Sequence, residues 1–316
     1  GHTLPYDACL VAAGSMRTTF GVEGADEHAL GFRSVDDAER IAARLDKLAT
    51  RKRPASVVIV GGGVSGVEAV GEILRRRGQG DAFNIHIVEV ESDILEQQLD
   101  GLARDAAERF ASYPVTVHTS AVVKEVTARS VQLESGEKLS ADLCIWSAGM
   151  ALPGFLRDAG LKGVHDQWLP VDETLKSDFA DNIFVAGDCA ALPAPIRKQA
   201  YYAMDMGEVA GDNIGRLLEG RRLKAFRAKP MPMLISFGDI TTWLVVGEAA
   251  VASPLLAAAK EGVYQATMAR LASPHQPLRY SSDIVGRAVM ATRQLLLPQL
   301  TPSKIFQGLT GSRVIF

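Results

Sequence analysis

The sequence predicts an α/β protein built on a doubly wound parallel sheet, and three observations carry that prediction. Ser56-Val57-Val58-Ile59-Val60 runs directly into Gly61-Gly62-Gly63-Val64-Ser65-Gly66, and a helical pattern follows as far as Arg77. Apolar runs of strand length alternate with amphipathic stretches of helix length, which is the signature of βαβ units. An acidic residue, Glu89, stands at the end of the next apolar run, 23 positions after Gly66.

The elements follow in order. Tyr6-Asp7-Ala8-Cys9-Leu10-Val11-Ala12-Ala13-Gly14 reads as a buried strand that ends at a glycine. Ser34 caps a helix through Leu48, because Val35, Ala38, Ile41, Ala42, Leu45 and Leu48 share one face. Asp36 and Asp37 suit its first turn, where the helix dipole favours acids. After a basic linker over 50–54 come a strand over 56–60, a helix over 64–77, a strand over 84–90, a helix over 99–110 and a strand over 115–118. Three short strands, 122–127, 130–134 and 138–146, form a meander with Ser135-Gly136 as a turn. Residues from about 55 to 148 are thus βαβαβ plus a meander. A further buried strand covers 182–188 and a helix 200–218. A hairpin of 233–237 and 241–251 turns at Gly238-Asp239, and helical stretches over 255–271 and 282–297 complete the chain.

The glycine run sits where a dinucleotide motif needs it, between a strand and a helix. Gly61 permits the tight turn, Gly63 lets a pyrophosphate approach the backbone, and Gly66 lets the helix pack on the strand. The helix start, with Val64 and Ser65, presents free N–H groups and a positive dipole end to phosphates. Glu89 can accept hydrogen bonds from ribose hydroxyls and would repel a 2′-phosphate. No arginine occurs in Val90-Glu91-Ser92-Asp93 to bind such a phosphate, so the sequence favours NADH over NADPH.

Composition bounds the class. A length of 316 residues allows two domains, and 47% apolar with 22% charged residues suits a globular protein. Cys9, Cys144 and Cys189 are far apart and form no C-x-x-C, which argues against a local zinc ribbon or redox disulfide. The sequence shows no secretory leader and no uncharged run near the ~20 residues of a membrane span, so a cytoplasmic location is expected. The net charge of −3 hides an asymmetry: residues 220–316 carry 12 Lys/Arg and 4 Asp/Glu, leaving +8 there and −11 in the rest. Such an end suits an anionic surface such as lipid headgroups, or is simply a solvated basic face.

Several stretches resemble one family. Gly61-Gly62-Gly63-Val64-Ser65-Gly66-Val67-Glu68 with Gly71-Glu72 resembles the second nucleotide motif of type II NADH dehydrogenases. These belong with the apoptosis-inducing-factor-like, FAD-dependent pyridine nucleotide oxidoreductases. Val22-Glu23-Gly24-Ala25-Asp26-Glu27-His28-Ala29-Leu30, leading into Ser34, resembles their linker into the NADH domain. Ile145-Trp146-Ser147-Ala148-Gly149 resembles their return strand, and Ile183-Phe184-Val185-Ala186-Gly187-Asp188 the strand whose aspartate binds FAD. The resemblance runs from about residue 6 to 215.

It implies a two-dinucleotide-binding flavoprotein fold: a Rossmann-like NADH domain over 17–150, inserted in an FAD domain made of 1–16 and 178–237. Residues 151–177 would connect back to the FAD domain, and 238–316 would form a C-terminal α+β region with membrane or dimer contacts. It also implies FAD and NADH as cofactors and a quinone as acceptor. Gly61, Gly63, Val64, Ser65, Gly66 and Glu89 would hold NADH. Gly14, Ala148 and Gly149 would lie close to the cofactors, and Gly187 and Asp188 would meet the flavin's ribityl chain. Glu72 corresponds to the family glutamate that orients the rings or relays a proton; the alternative is an exposed helix carboxylate. No earlier G-x-G-x-x-G precedes Gly61, so the FAD domain is expected to be a remnant lacking its N-terminal fingerprint segment.

At the quinone region Arg197-Lys198-Gln199-Ala200-Tyr201-Tyr202-Ala203 replaces the usual Ala-Gln pair and is similar to the ferroptosis-suppressor branch. Lys198 and Gln199 are the candidate polar contacts to quinone or flavin, or else a solvent-facing helix cap. Ile284, Val285, Ala288, Val289, Thr292, Leu295 and Leu296 share a face, with Arg287 and Arg293 beside it. They suit a helix on the inner face of the membrane, a body-packed helix or a dimer contact. Three readings result: an NADH:quinone oxidoreductase, a flavin-dependent reductase of a rubredoxin- or ferredoxin-type protein, and a non-catalytic NAD(H)-binding fragment. A nucleic-acid partner and a metal are not expected.

Overall fold

The computed structural model describes residues 2–77, 82–96, 98–161, 168–271 and 312–315. Two compact units divide the chain, one of Gly1–Thr18 with Met150–Pro230 and the other of Thr19–Gly149 with Met231–Phe316.

In the second unit, five parallel strands lie in the order Ala29–Gly31, Leu143–Trp146, Ala55–Val60, Phe83–Val88, Val115–His118. Side chains alternate across a strand, and both faces of this sheet are covered. Val57, Ile59, Ile85, Ile87, Leu143 and Ile145 join the core that also holds Ile41, Leu45 and Val70 from the helices. Val58, Val60, Val88, Cys144 and Trp146 join a separate core with Val126, Val131 and Leu133 of the meander. That double burial is why Val57-Val58-Ile59-Val60 is continuously apolar rather than alternating. The helix Val35–Ala49 starts at a reciprocal cap: Ser34 Oγ accepts from the Asp37 amide (3.1 Å) and Asp37 Oδ2 from the Ser34 amide (3.0 Å).

The sequence-expected strand 138–146 is two strands. Lys138–Ser140 belongs to the three-stranded meander and Leu143–Trp146 to the parallel sheet. The break falls at Asp142, whose carboxylate accepts from the Ser56 amide (3.0 Å) and pairs with Arg51 (2.5 Å) and Arg53 (3.1 Å). The expected strand 241–251 also splits, into Thr241–Val246 and Ala249–Ser253, because Gly247 turns the chain at φ 57°. Arg313–Ile315 adds a fourth strand, giving the order Met233–Phe237, Thr241–Val246, Ala249–Ser253, Arg313–Ile315. Met233–Phe237, expected with the 178–237 segment, packs in this unit against the helix Val64–Arg77. The helix accommodates it through Gly71, where a Cβ would come 2.5 Å from the Phe237 carbonyl carbon. Glu68 Oε1 also accepts from the Ser236 amide at 3.0 Å. The helix Leu256–Leu271 follows; the helix expected over 282–297 lies outside the described residues.

In the first unit, Cys9–Val11 pairs in parallel with Ile183–Val185. Met16–Arg17 pairs antiparallel with Met150–Ala151, and Leu169–Pro170 lies parallel to Ala190–Ala191. Phe184, Val185, Leu169, Leu175 and Met206 form its core under the helix Ala200–Leu218. Asn213, fully buried, pins the returning chain: its side chain donates to Thr174 O and Lys224 O (both 2.8 Å) and accepts from the Lys224 amide (2.8 Å). Among the described residues no helix is long and apolar enough to cross a membrane.

Candidate functional site

The glycine corner lies at the carboxyl end of Ala55–Val60, where ligands of parallel α/β sheets bind. Its four glycines do different work. Gly61 has φ 106°, and a Cβ there would come 2.9 Å from both the Ala148 amide nitrogen and Ser147 Oγ. A Cβ on Gly62 would come 2.9 Å from Ile94 Cγ2, and one on Gly66 would strike the Gly61 carbonyl. These three are glycine because the fold closes on them. Gly63 is exposed and a Cβ there would meet nothing within 4 Å. Gly63 is thus the one uncrowded glycine of the four. The first intrahelical bond runs from the Val67 amide to the Gly63 carbonyl (3.1 Å), so the amides of Val64, Ser65 and Gly66 have no partner within the helix.

Glu89 follows the strand Phe83–Val88, and its backbone amide continues the sheet by donating to the His118 carbonyl (2.8 Å). Its carboxylate is anchored rather than loose: Oε2 accepts from the Gly62 amide (2.5 Å) and Oε1 from the Glu91 amide (3.1 Å). A carboxylate has about four lone-pair sites, so both oxygens keep capacity for sugar hydroxyls. Ser147 closes the corner from the neighbouring strand, its hydroxyl shared between the Val60 and Gly61 carbonyls (2.9 and 3.1 Å). Ala148 follows it, and Gly149 has φ 74° at the end of this unit. Glu72 lies on the same helix as the glycine corner, half exposed, with Oε2 accepting from Arg75 Nε (2.8 Å) and Nη2 (2.6 Å).

The remaining predicted residues gather in the first unit. Gly14 (φ 65°) and Gly187 (φ 76°) both hold left-handed backbone that favours glycine. Asp188 Oδ2 accepts from Ser15 Oγ at 2.7 Å. Lys198 is half-buried. Its Nζ donates to the Ala190 carbonyl (2.6 Å) and lies 4.5 Å from the centre of the Trp168 ring. Burial holds its ammonium pKa below the ordinary lysine value, against the opposing charges of Asp188 and Cys189. Gln199 is extended (φ −136°, ψ 147°) and starts the helix Ala200–Leu218 without a side-chain cap.

Sequence reasoning missed Ser15, Trp168 and the capping role of Ser147. Ser147 stood inside a quoted motif, yet only the register of two non-adjacent segments shows its hydroxyl over the corner. Trp168 carries no sequence signal that links it to Lys198. Neither cysteine pairing nor a cluster of three metal-ligating side chains is present among the described residues.

Comparison with known proteins gives consistent findings. The sequence pattern of the pyridine nucleotide-disulphide oxidoreductase family matches residues 1–207. A type II NADH:quinone oxidoreductase of Haemophilus influenzae is 25% identical over 276 residues, covering 75% of this chain and 62% of that protein. The demethylphylloquinone reductase NdbB of Synechocystis is 27% identical over 245 residues, covering 75% and 60%. The chain thus spans about three fifths of the length of these relatives. The structure of NDH2 from Plasmodium falciparum in complex with NADH superposes with a TM-score of 0.76 at 17% identity, over 92% of this chain and 78% of that one. That likeness supports the two-dinucleotide-binding α/β fold.

Proposed function

The chain belongs to the pyridine nucleotide-disulphide oxidoreductase family, and from that premise we propose that it is an NADH:quinone oxidoreductase that works through a bound flavin. The observation that carries the nucleotide half is the contrast at the corner: three glycines closed by the fold, and Gly63 open beside an anchored Glu89. Gly63 and the amides of Val64, Ser65 and Gly66 would hold the NADH diphosphate, and Glu89 would accept from the ribose hydroxyls. The same carboxylate, with Glu91 and Asp93 nearby in the chain, disfavours a 2′-phosphate, so NADH is preferred to NADPH.

A flavin, as FAD in this reading, supplies an acceptor for hydride and a donor of electrons onward. The first unit's residues fit such a group. Asp188, oriented by Ser15, would accept from a ribityl hydroxyl, and Gly14 and Gly187 keep side chains away from that region. The start of the helix Ala200–Leu218 offers amide dipoles to an electron-rich ring edge. Lys198, steadied by Trp168 and the Ala190 carbonyl, would donate a hydrogen bond to flavin or quinone, with Gln199 beside it. Glu72, on the helix of the glycine corner and already paired with Arg75, would orient the nicotinamide ring. The basic residues of 220–316 suit peripheral contact with an anionic membrane face from the cytoplasmic side, and a homodimer is compatible with this reading.

The test uses the purified full chain. Yellow protein should bleach with NADH and recover colour with a short-chain quinone. Gly63→Val has room to fold, and Glu89→Ala removes a half-buried carboxylate that also accepts from the Gly62 amide. Calorimetry should show both losing NADH affinity, with urea unfolding run alongside to confirm that Glu89→Ala is folded. Equal NADH binding by wild type and both variants would overturn the nucleotide assignment. Colourless protein that binds NADH through these residues would move the assignment to a non-catalytic NAD(H)-binding module.

A further inference from the structure

A second cleft lies in the same unit as the glycine corner, near the starts of the parallel strands rather than their carboxyl ends. It is an open groove of about 560 Å³, within the size range of small-molecule sites. The helix Val35–Ala49 lines it with Arg40, Arg44 and Lys47, spaced so that all three share one face. Its accessible apolar lining is Leu30 on the sheet's edge strand with Ala43 and Ala128, while Leu143 and Cys144 at its edge are buried in the cores on opposite faces of the sheet.

The charge in this cleft is largely uncompensated. Arg40 and Lys47 form no ion pair among the described residues. Arg44 spends one donor on a neutral group, the Asp142 backbone carbonyl (3.1 Å), and its guanidinium has five. The acidic lining residues are Glu27 and Asp142. Glu27 is 80% exposed, with the His28 ring 3.9 Å away. The Asp142 carboxylate is already committed to Arg51, Arg53 and the Ser56 amide. Three cations thus share one wall of the cleft, beside the partly exposed Leu30. Thr127 lines the opposite side, though its hydroxyl is engaged with Ser130 (2.8 Å).

We propose that this cleft binds a phosphorylated small molecule of the nucleoside polyphosphate class, at a site separate from the glycine corner. Phosphate oxygens would meet Arg40, Arg44 and Lys47, and the base would lie against Leu30 and Ala128. Arginine favours this chemistry because its planar fork binds phosphate oxygens in pairs. The inference does not depend on the redox assignment, since it uses no residue of the dinucleotide site.

ADP is the probe, titrated calorimetrically into the full chain with and without saturating NADH. Binding that survives saturating NADH is the expected result. Arg40 and Lys47 are exposed, so R40E/K47E should fold as wild type does; its ADP affinity should be roughly tenfold or more weaker, with NADH binding unchanged. ADP heat that vanishes once NADH is present would place the ligand at the glycine corner and overturn the second site. Equal ADP affinity in R40E/K47E would also overturn it. Failure of NADH itself to bind would count against the redox reading alone, because the R40E/K47E comparison is read without it.

Discussion

His86 and His118 stand on adjacent strands with Nδ1 of one 3.1 Å from Nε2 of the other, and Glu137 lies 3.9 Å from the far nitrogen of His118. Burial holds the His86 pKa below 6.5, the His118 charge adds to the effect, and Glu137 opposes it. A lowered folded-state value means the neutral ring is favoured in the fold. The stabilisation is therefore complete above the unfolded value of 6.5 and is lost as pH falls through the lower folded value. The urea midpoint should drop between about pH 7 and about pH 5, and His86→Phe should flatten that slope. Parallel pH profiles for the two proteins would contradict the assignment. The same scale decides what each glycine does. Gly61, Gly62 and Gly66 look alike in sequence to Gly63, and only the distances to Ala148, Ile94 and the Gly61 carbonyl separate packing from ligand access.

Between elements, the helix after the glycine corner is shared by two partners. Its buried face meets the parallel sheet through Val67 and Val70, and Gly71 lets the strand Met233–Phe237 touch its backbone. Glu68 strengthens that contact by accepting from the Ser236 amide and from Lys260 on the helix Leu256–Leu271. Gly71→Ala should cost about 1–3 kcal/mol, as overpacking against backbone does. Chemical denaturation would measure it, and a stability equal to wild type would show that the helix and strand yield easily. The sequence showed Gly71 as part of a motif. It did not show that the partner pressed against it lies more than 160 residues further along the chain.

For the whole molecule, each compact unit has its own hydrophobic core. In the second unit Asp105, which is 5% exposed, ties the helix Asp100–Phe110 to the C-terminal strands. Its carboxylate accepts from Trp243 Nε1 (2.8 Å) and Arg109 Nε (2.6 Å), and Arg313 of the last strand reaches it at 3.4 Å. Asp105→Ala would leave a buried indole N–H and a mostly buried guanidinium without their acceptor. The loss should be about 3 kcal/mol in urea unfolding followed by tryptophan fluorescence. A midpoint shift no larger than that of an ordinary surface substitution would show that the C-terminal strands are held by apolar packing alone. Unlike the glycine corner, this linkage leaves no trace in local pattern, because an aspartate in mid-helix reads as solvent-facing until its partners are known.

Local chemistry was enough to fix the strand, corner and helix around Gly61–Gly66, the reciprocal cap at Ser34 and the acid at Glu89. Each depends on neighbours within a few residues, or on the spacing of one βαβ unit. Folding in three dimensions decided the rest. It cut 138–146 into two strands in different sheets, moved 233–237 into the unit that holds the glycine corner, and recruited Arg313–Ile315 to a sheet edge. It also set Ser147 over the corner, Trp168 beside Lys198, and three cations beside the edge strand that carries Leu30. Those outcomes join segments distant in the chain, and their energies come from burial and partner geometry that no stretch of sequence contains by itself.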